Sequence, residues 1–172
     1  MQSIGVVFKR NEMIMAALKQ GVTRVSLDGY RIVPLRDVPE GERPEVMLHH
    51  LERFVKTFRG ARDNLFVGIP RDAAIVRLLT LPAVVEENLR SAIEYEIDKY
   101  VPCAPEDVYF DCRVVRRLPD AGLVQVVLIA AQRETVDGYL TLLKKINVRP
   151  RGIGISTTAL LYALPPPEVA AS

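Results

Sequence analysis

Short apolar runs open the chain. Ile4–Phe8 is a brief apolar strand, the charged group Lys9-Arg10-Asn11 makes a turn, and Met13–Leu18 resumes as a second strand. Gly21 breaks the chain before Val22–Leu27. Asp28-Gly29 has the residue types of a tight hairpin turn, so Tyr30–Leu35 is expected to return as a further strand. The pattern predicts an antiparallel meander over this first stretch. Pro39–Pro44 then forms a loop, and Met47, Leu51, Phe54, Val55 and Phe58 fall at helical spacing. A helix over Glu45–Phe58 is expected to pack its apolar stripe on the meander. Leu65–Ile69 is a short apolar run of the kind found in parallel or central strands.

The rhythm changes after Pro70-Arg71-Asp72. A strand over Ala73–Leu81 ends at Pro82, and Glu86–Tyr100 is predicted as a helix with Leu89, Ile93, Ile97 and Tyr100 on one face. Val101-Pro102 stops it. Val108–Arg117 and Leu123–Ala131 read as strands joined through Pro119-Asp120-Ala121-Gly122. The helix Glu134–Ile146 turns Val136, Tyr139, Leu140, Leu143 and Ile146 inward, Asn147 suits its C-cap, and Val148–Ile155 is the last strand. From Ala73 the order is strand-helix-strand-strand-helix-strand, a split βαβ arrangement. Three parts are therefore expected: 1–72 as meander plus helix, 73–155 as the split βαβ domain, and 156–172 as a terminal helix (Thr157–Leu164) with a proline-rich flexible tail.

Composition narrows the function classes. The chain has 172 residues, 49% hydrophobic and 26% charged, with 23 basic against 21 acidic side chains. A net charge of +2 gives no clustered excess for a nucleic-acid surface. Cys103 and Cys112 form no CxxC, and only His49 and His50 could join them, which argues against zinc. Cys112 reads as a small buried hydrophobe. A reducing compartment, no signal peptide and no membrane span are expected, hence a cytoplasmic chain.

Catalytic constellations are scarce. Glu94 and Asp98 share a helix face, but that face points to solvent. His49 and His50 have no nearby triad partners, and Ser156 or Thr157 suits a helix N-cap rather than a nucleophile. Gly152-Ile153-Gly154 lies in a strand and lacks a third glycine, so a bulge or a close packing contact explains it better than a phosphate loop.

From Pro70 to Leu160 the order of motifs resembles the actin-like assembly proteins of type IV pili and type II secretion, the PilM and GspL type. The resemblance rests on Leu81-Pro82, then Ala92, Glu96, Tyr100, Val101 and Pro102 on the helix and its stop. It continues through Glu106-Asp107, Phe110-Asp111 and Ala130-Ala131, and ends with Val136, Tyr139, Leu143 and Asn147-Val148. It implies an α+β chain: an actin-like (ribonuclease H-like) first lobe lacking its second half, with a split βαβ-type inserted small domain. Nucleotide-binding members open with a Gly-Leu-Asp-Ile-Gly-Ser-like motif. Here Gly5-Val6-Val7-Phe8-Lys9-Arg10 stands in that place, and Phe8 and Lys9 supply neither the acidic ligand nor the tight backbone approach. The loop at Gly5, Phe8, Lys9 and Arg10 is thus expected to be degenerate, with no cofactor and no catalysis.

The function implied by the resemblance is a cytoplasmic scaffold at the inner membrane. It would bind the N-terminal peptide of a PilN-like inner-membrane protein, a GspE/PilB-like assembly ATPase, or both, and could form a homodimer. Arg71, Asp72, Tyr95, Tyr100 and Val101 are the candidate contact residues. Two alternatives stay open: half of an actin-like ATPase whose nucleotide site needs a second lobe, and a small-molecule module of the split βαβ type.

Overall fold

The structure is a computed structural model that describes residues 1–157. All but the first residue of the expected helix Thr157–Leu164, and the proline-rich tail, lie outside the described residues. The chain forms two compact units: Met1–Arg71 together with the chain from Leu140 onward, and Asp72–Tyr139.

The first unit is built on a five-stranded sheet. Its strands are β1 (Gln2–Phe8), β2 (Glu12–Gln20), β3 (Val25–Pro34), β4 (Leu65–Ile69) and β8 (Gly152–Ile155), in the order β3-β2-β1-β4-β8. The first three pair antiparallel, while β4 lies parallel to both β1 and β8. Alternation decides the faces. Ile4, Val6 and Phe8, with Met13, Met15, Leu65 and Val67, are buried on one side. The helix α1 (Arg43–Thr57) buries Leu51, Phe54 and Val55, as its helical stripe predicts. Asn64 ties the unit together at one end of the sheet. Its amide donates to the Gln2 carbonyl at 3.0 Å, and its side-chain oxygen accepts from Arg151 at 3.1 Å.

Two expectations for this unit change. Asp28-Gly29 is no hairpin turn but lies inside β3; the turn falls earlier, where the Gly21 amide donates to the Arg24 carbonyl at 2.9 Å. The register slips between Ala17 and Leu18 of β2, which face Gly29 and Leu27, so Asp28 is the extra residue of a β-bulge. Gly29 is needed for packing, because a Cβ there would stand 2.5 Å from Cζ of Phe58. The last strand also has a different partner. Val148–Ile155 was expected in the inserted domain, yet Gly152–Ile155 pairs with Phe66–Ile69 of the first sheet. Parallel pairing with a central strand satisfies its backbone and buries Ile155. The insertion is accordingly 72–139 rather than 73–155.

The second unit has a three-stranded antiparallel sheet, ordered β5 (Ala74–Pro82), β7 (Leu123–Gln132), β6 (Val108–Leu118). Val124, Val126, Leu128 and Ala130 of the middle strand form its core with Ile93, Ile97 and Val101. The expected helix Glu86–Tyr100 is broken. A 3-10 stretch, Ala83–Asn88, leads into α2 (Leu89–Tyr95), and α3 (Ile97–Tyr100) restarts after Glu96, at φ −115° and ψ 17°. The Glu96 amide donates three residues back, to Ile93, at 3.1 Å. Ile93 and Ile97 both stay buried across the break.

The helix α4 (Arg133–Lys145) starts in the second unit and ends in the first. Asn147 terminates it with φ 55°, and the Val148 amide closes onto the Leu143 carbonyl at 3.0 Å. Asparagine tolerates this left-handed conformation better than most residues. The guanidinium of Arg62 adds a donor to the Asn147 carbonyl.

Candidate protein-docking groove

The second unit carries a hollow of about 260 Å³ where β5 begins, β6 begins and β7 ends. Its floor is made of small or short side chains, Ala74, Ala130 and Ala131, with Ile75 and Val108 beside them. Asp72, Gln132 and Thr135 supply the polar groups, and Pro102 and Cys103 close one side. The volume lies below the roughly 300–1,000 Å³ of sites that enclose a drug-sized ligand. It suits one or two side chains of an extended peptide. The adjoining strand β5 is also an edge of its sheet, where an added strand finds backbone partners.

Neighbouring contacts fix the walls. Arg133 stacks over the ring of Tyr109 at 4.1 Å, and the Tyr109 hydroxyl donates to the Asp137 carboxylate at 3.1 Å. This clamp holds the first turn of α4 against β6 and thereby sets the position of Thr135. Tyr139 is more than half buried, and its phenol is pushed above its ordinary range first by that burial and then by the charge of Asp72. Cys112 packs against the core, and burial followed by the Asp111 charge pushes its thiol up. It packs as a hydrophobe, but half-buried rather than buried as the sequence suggests.

The five candidate contact residues separate. Asp72 lines the groove, and Arg71 precedes it in the same exposed turn, Arg71–Ala73. Val101 is 2% exposed and belongs to the core, so it presents no surface to a partner. Tyr100 is half-buried against that core, with its hydroxyl donating to Glu96 at 3.3 Å. Tyr95 is 88% exposed and stands outside the groove lining. Thr135, Gln132 and Cys103 were not among the contact residues expected from the sequence. The pair Ala130-Ala131 was noticed as a motif, and its small side chains are what leave the groove open.

The β1–β2 turn was the expected degenerate nucleotide loop. Phe8 is 1% exposed and faces the core, and Gly5 sits in the middle of β1 rather than in a loop. The Lys9 ammonium pairs with Glu12 at 2.7 Å, and its amide donates to the Glu12 carbonyl at 2.9 Å, closing a tight turn over Arg10 and Asn11. Among the described residues, no group of three or more His, Cys, Asp and Glu side chains is placed to hold a metal ion. Among them, too, no helix is long and apolar enough to cross a membrane.

Comparison with known proteins places this architecture. The family model of the type IV pilus assembly protein PilM matches residues 5–165. A curated relative, type II secretion system protein L of Xanthomonas campestris pv. campestris, is 34% identical over 70 residues, covering 41% of this chain and 18% of its own. Among solved structures, the PilM–PilN type IV pilus biogenesis complex superposes with a TM-score of 0.75 at 20% identity, over 93% of this chain and 49% of that one. The cytoplasmic domain of EpsL, an inner-membrane component of the Vibrio cholerae type II secretion system, gives 0.65 at 15% identity, over 98% and 61%. The chain thus spans about half to three-fifths of those solved chains and under a fifth of the curated relative. Its mixed α/β fold is the one these PilM and EpsL chains share, and the chain belongs to the PilM family of type IV pilus assembly proteins.

Proposed function

We propose that this chain is a docking module of a type IV pilus or type II secretion assembly platform, and that it holds a short extended peptide in the groove at Asp72, Ala131 and Thr135. The groove is the observation that supports this reading: an apolar floor, a few polar groups at its rim and the edge strand β5 alongside. One solved relative is itself a complex of PilM with PilN. The proposed ligand is accordingly the N-terminal segment of a PilN-like inner-membrane protein, and the proposed location is the cytoplasmic face of that membrane. An assembly ATPase of the GspE/PilB type is a second proposed partner. The role is one of holding partners, not of turning over nucleotide: the β1–β2 turn offers a lysine already engaged by Glu12 where a ligating carboxylate would be needed.

Calorimetric titration of the full chain with a synthetic peptide from the N-terminus of the PilN-like partner tests the reading. Thr135→Trp fills the groove from its wall. Excluding one apolar side chain removes about 1.5–3 kcal/mol, a weakening of roughly 10- to 150-fold. Tyr95→Ser, outside the groove, leaves the affinity unchanged. Equal affinities for the wild-type and Thr135→Trp chains would rule the groove out.

A further inference from the structure

The net charge of +2 hides an uneven split. Among the described residues the first unit carries 16 basic and 8 acidic side chains, and the second unit 7 basic and 12 acidic. The excess of the first unit gathers at one place. Arg53, Lys56, Arg59 and Arg62 recur at every third position, from the last turns of α1 into the 3-10 stretch Arg59–Asn64, with no acidic residue between them. The end of α4, with Lys144 and Lys145, meets the same place, since Arg62 donates to the carbonyls of Ile146 and Asn147. A groove of about 490 Å³ opens there, with Val55 and Ile146 as its apolar lining and Lys56, Arg59 and Arg62 at its rim. Of the two carboxylates beside it, Glu52 is taken up by Lys56 at 2.8 Å. Arg59, Lys144 and Lys145 are exposed and make no ion pair among the described residues.

The complement lies on the same chain, in the second unit. From Glu86 to Asp107 seven carboxylates stand against two cations, Arg90 and Lys99. Arg117 holds Glu86, and Lys99 holds Glu96. Glu87, Glu94, Asp98, Glu106 and Asp107 are exposed and make no ion pair among the described residues. Ile93 and Ile97 turn into the core, which leaves Glu94, Tyr95 and Asp98 on the solvent side of α2 and α3. Tyr95 thus offers an aromatic ring, 88% exposed, in the middle of an acidic field.

We propose that the acidic face of α2 and α3 in one copy docks on the basic groove of a second copy, with the Tyr95 ring seated against Val55 and Ile146 beneath the Arg59 guanidinium. Glu94 and Asp98 then meet the cations of the rim. Arginine over a tyrosine face is an arrangement this fold already uses, at Arg133 and Tyr109. Buried tyrosine and arginine are also the residues that most often anchor a protein interface. A flat anionic surface would match the charge of the groove but put no ring into its recess; a second copy supplies both. The contact joins two unlike patches, and every copy carries the two of them, so each copy can both dock and be docked upon. Charge supplies much of the attraction, which makes the association sensitive to salt.

Analytical ultracentrifugation of the full chain tests this. At about 0.05 M salt the mean mass should rise above that of the monomer as protein concentration increases, and the association should weaken about tenfold or more at about 0.5 M salt, where exposed charges are screened within roughly 4 Å. Two charge reversals separate the patches: Arg59→Glu with Lys145→Glu, and Glu94→Lys with Asp98→Lys. Each double variant alone should stay monomeric, because its two patches now repel. An equimolar mixture of the two should regain the mass of the wild-type chain, because both contacts again join opposite charges. Tyr95→Ser keeps every charge and should weaken the association about tenfold or more; it decides the matter if a reversal fails to fold. A wild-type chain that stays monomeric up to about 0.1 mM overturns the proposal, even if it sediments with anionic vesicles, since the membrane would then be the occupant. So does a mixture of folded reversal variants that stays monomeric, or a Tyr95→Ser chain that associates as the wild type does.

Discussion

Leu128 and Ile129 are adjacent on β7 and should differ sharply when truncated. Leu128 is fully buried, opposite Cys112 on β6 and Arg77 on β5, and faces Ile93 and Ile97. Ile129, opposite Asp111 and Val76, is half-buried on the other face. Leu128→Ala removes a packed side chain from a core that cannot collapse freely, at a cost of about 3–4 kcal/mol. Ile129→Ala loses only partial burial, about 1 kcal/mol. The gap of about 2–3 kcal/mol predicts exchange of the β5, β6 and β7 amides roughly 30- to 150-fold faster in the first variant than in the second. Hydrogen exchange read by mass spectrometry on peptides of those strands measures it. Equal costs, or a larger cost at Ile129, would mean that the register is off by one residue and the faces are exchanged.

Other consequences follow from single contacts. Gly29→Val forces Phe58 off its seat and should lower stability by about 1–3 kcal/mol, seen as a lower urea midpoint; a Gly29→Val chain as stable as wild type would refute the bulge geometry. Asn147→Ala should cost about 1 kcal/mol at a left-handed position, whereas Asn147→Gly should be neutral or better, both read by thermal unfolding. Tyr139 releases its proton less readily when folded, so the stability it contributes is present below its ordinary pKa and declines as pH rises above that value. Tyr139→Phe should therefore flatten the alkaline loss of stability above roughly pH 10 in unfolding titrations.

What could be read from the sequence depended on how local the cause was. Leu65–Ile69 was legible to the residue, because an apolar run between turn formers leaves few options. The stripe of α1 and the left-handed stop at Asn147 were legible for the same reason. Asp28-Gly29 misled because bulges and hairpin turns draw on the same residue types, and the deciding partner, Phe58, lies far along the chain. Val148–Ile155 went to the wrong sheet since nothing within it names β4 as its partner. The groove was half legible. Asp72 belongs to it, but Val101 is core, and a hollow is made by side chains that are short, as at Ala74, Ala130 and Ala131. Burial and space of that kind emerge only when strands are brought side by side.

The second unit is proposed to hold a peptide at one end of its sheet. Chemical-shift mapping of the full chain with the N-terminal peptide of the proposed PilN-like partner is the direct test. Perturbations are expected at Asp72–Ile75, Cys103 and Ala130–Thr135, with the turn at Lys9–Asn11 unmoved. Perturbations confined to that turn or to the first sheet, with the groove silent, would contradict it.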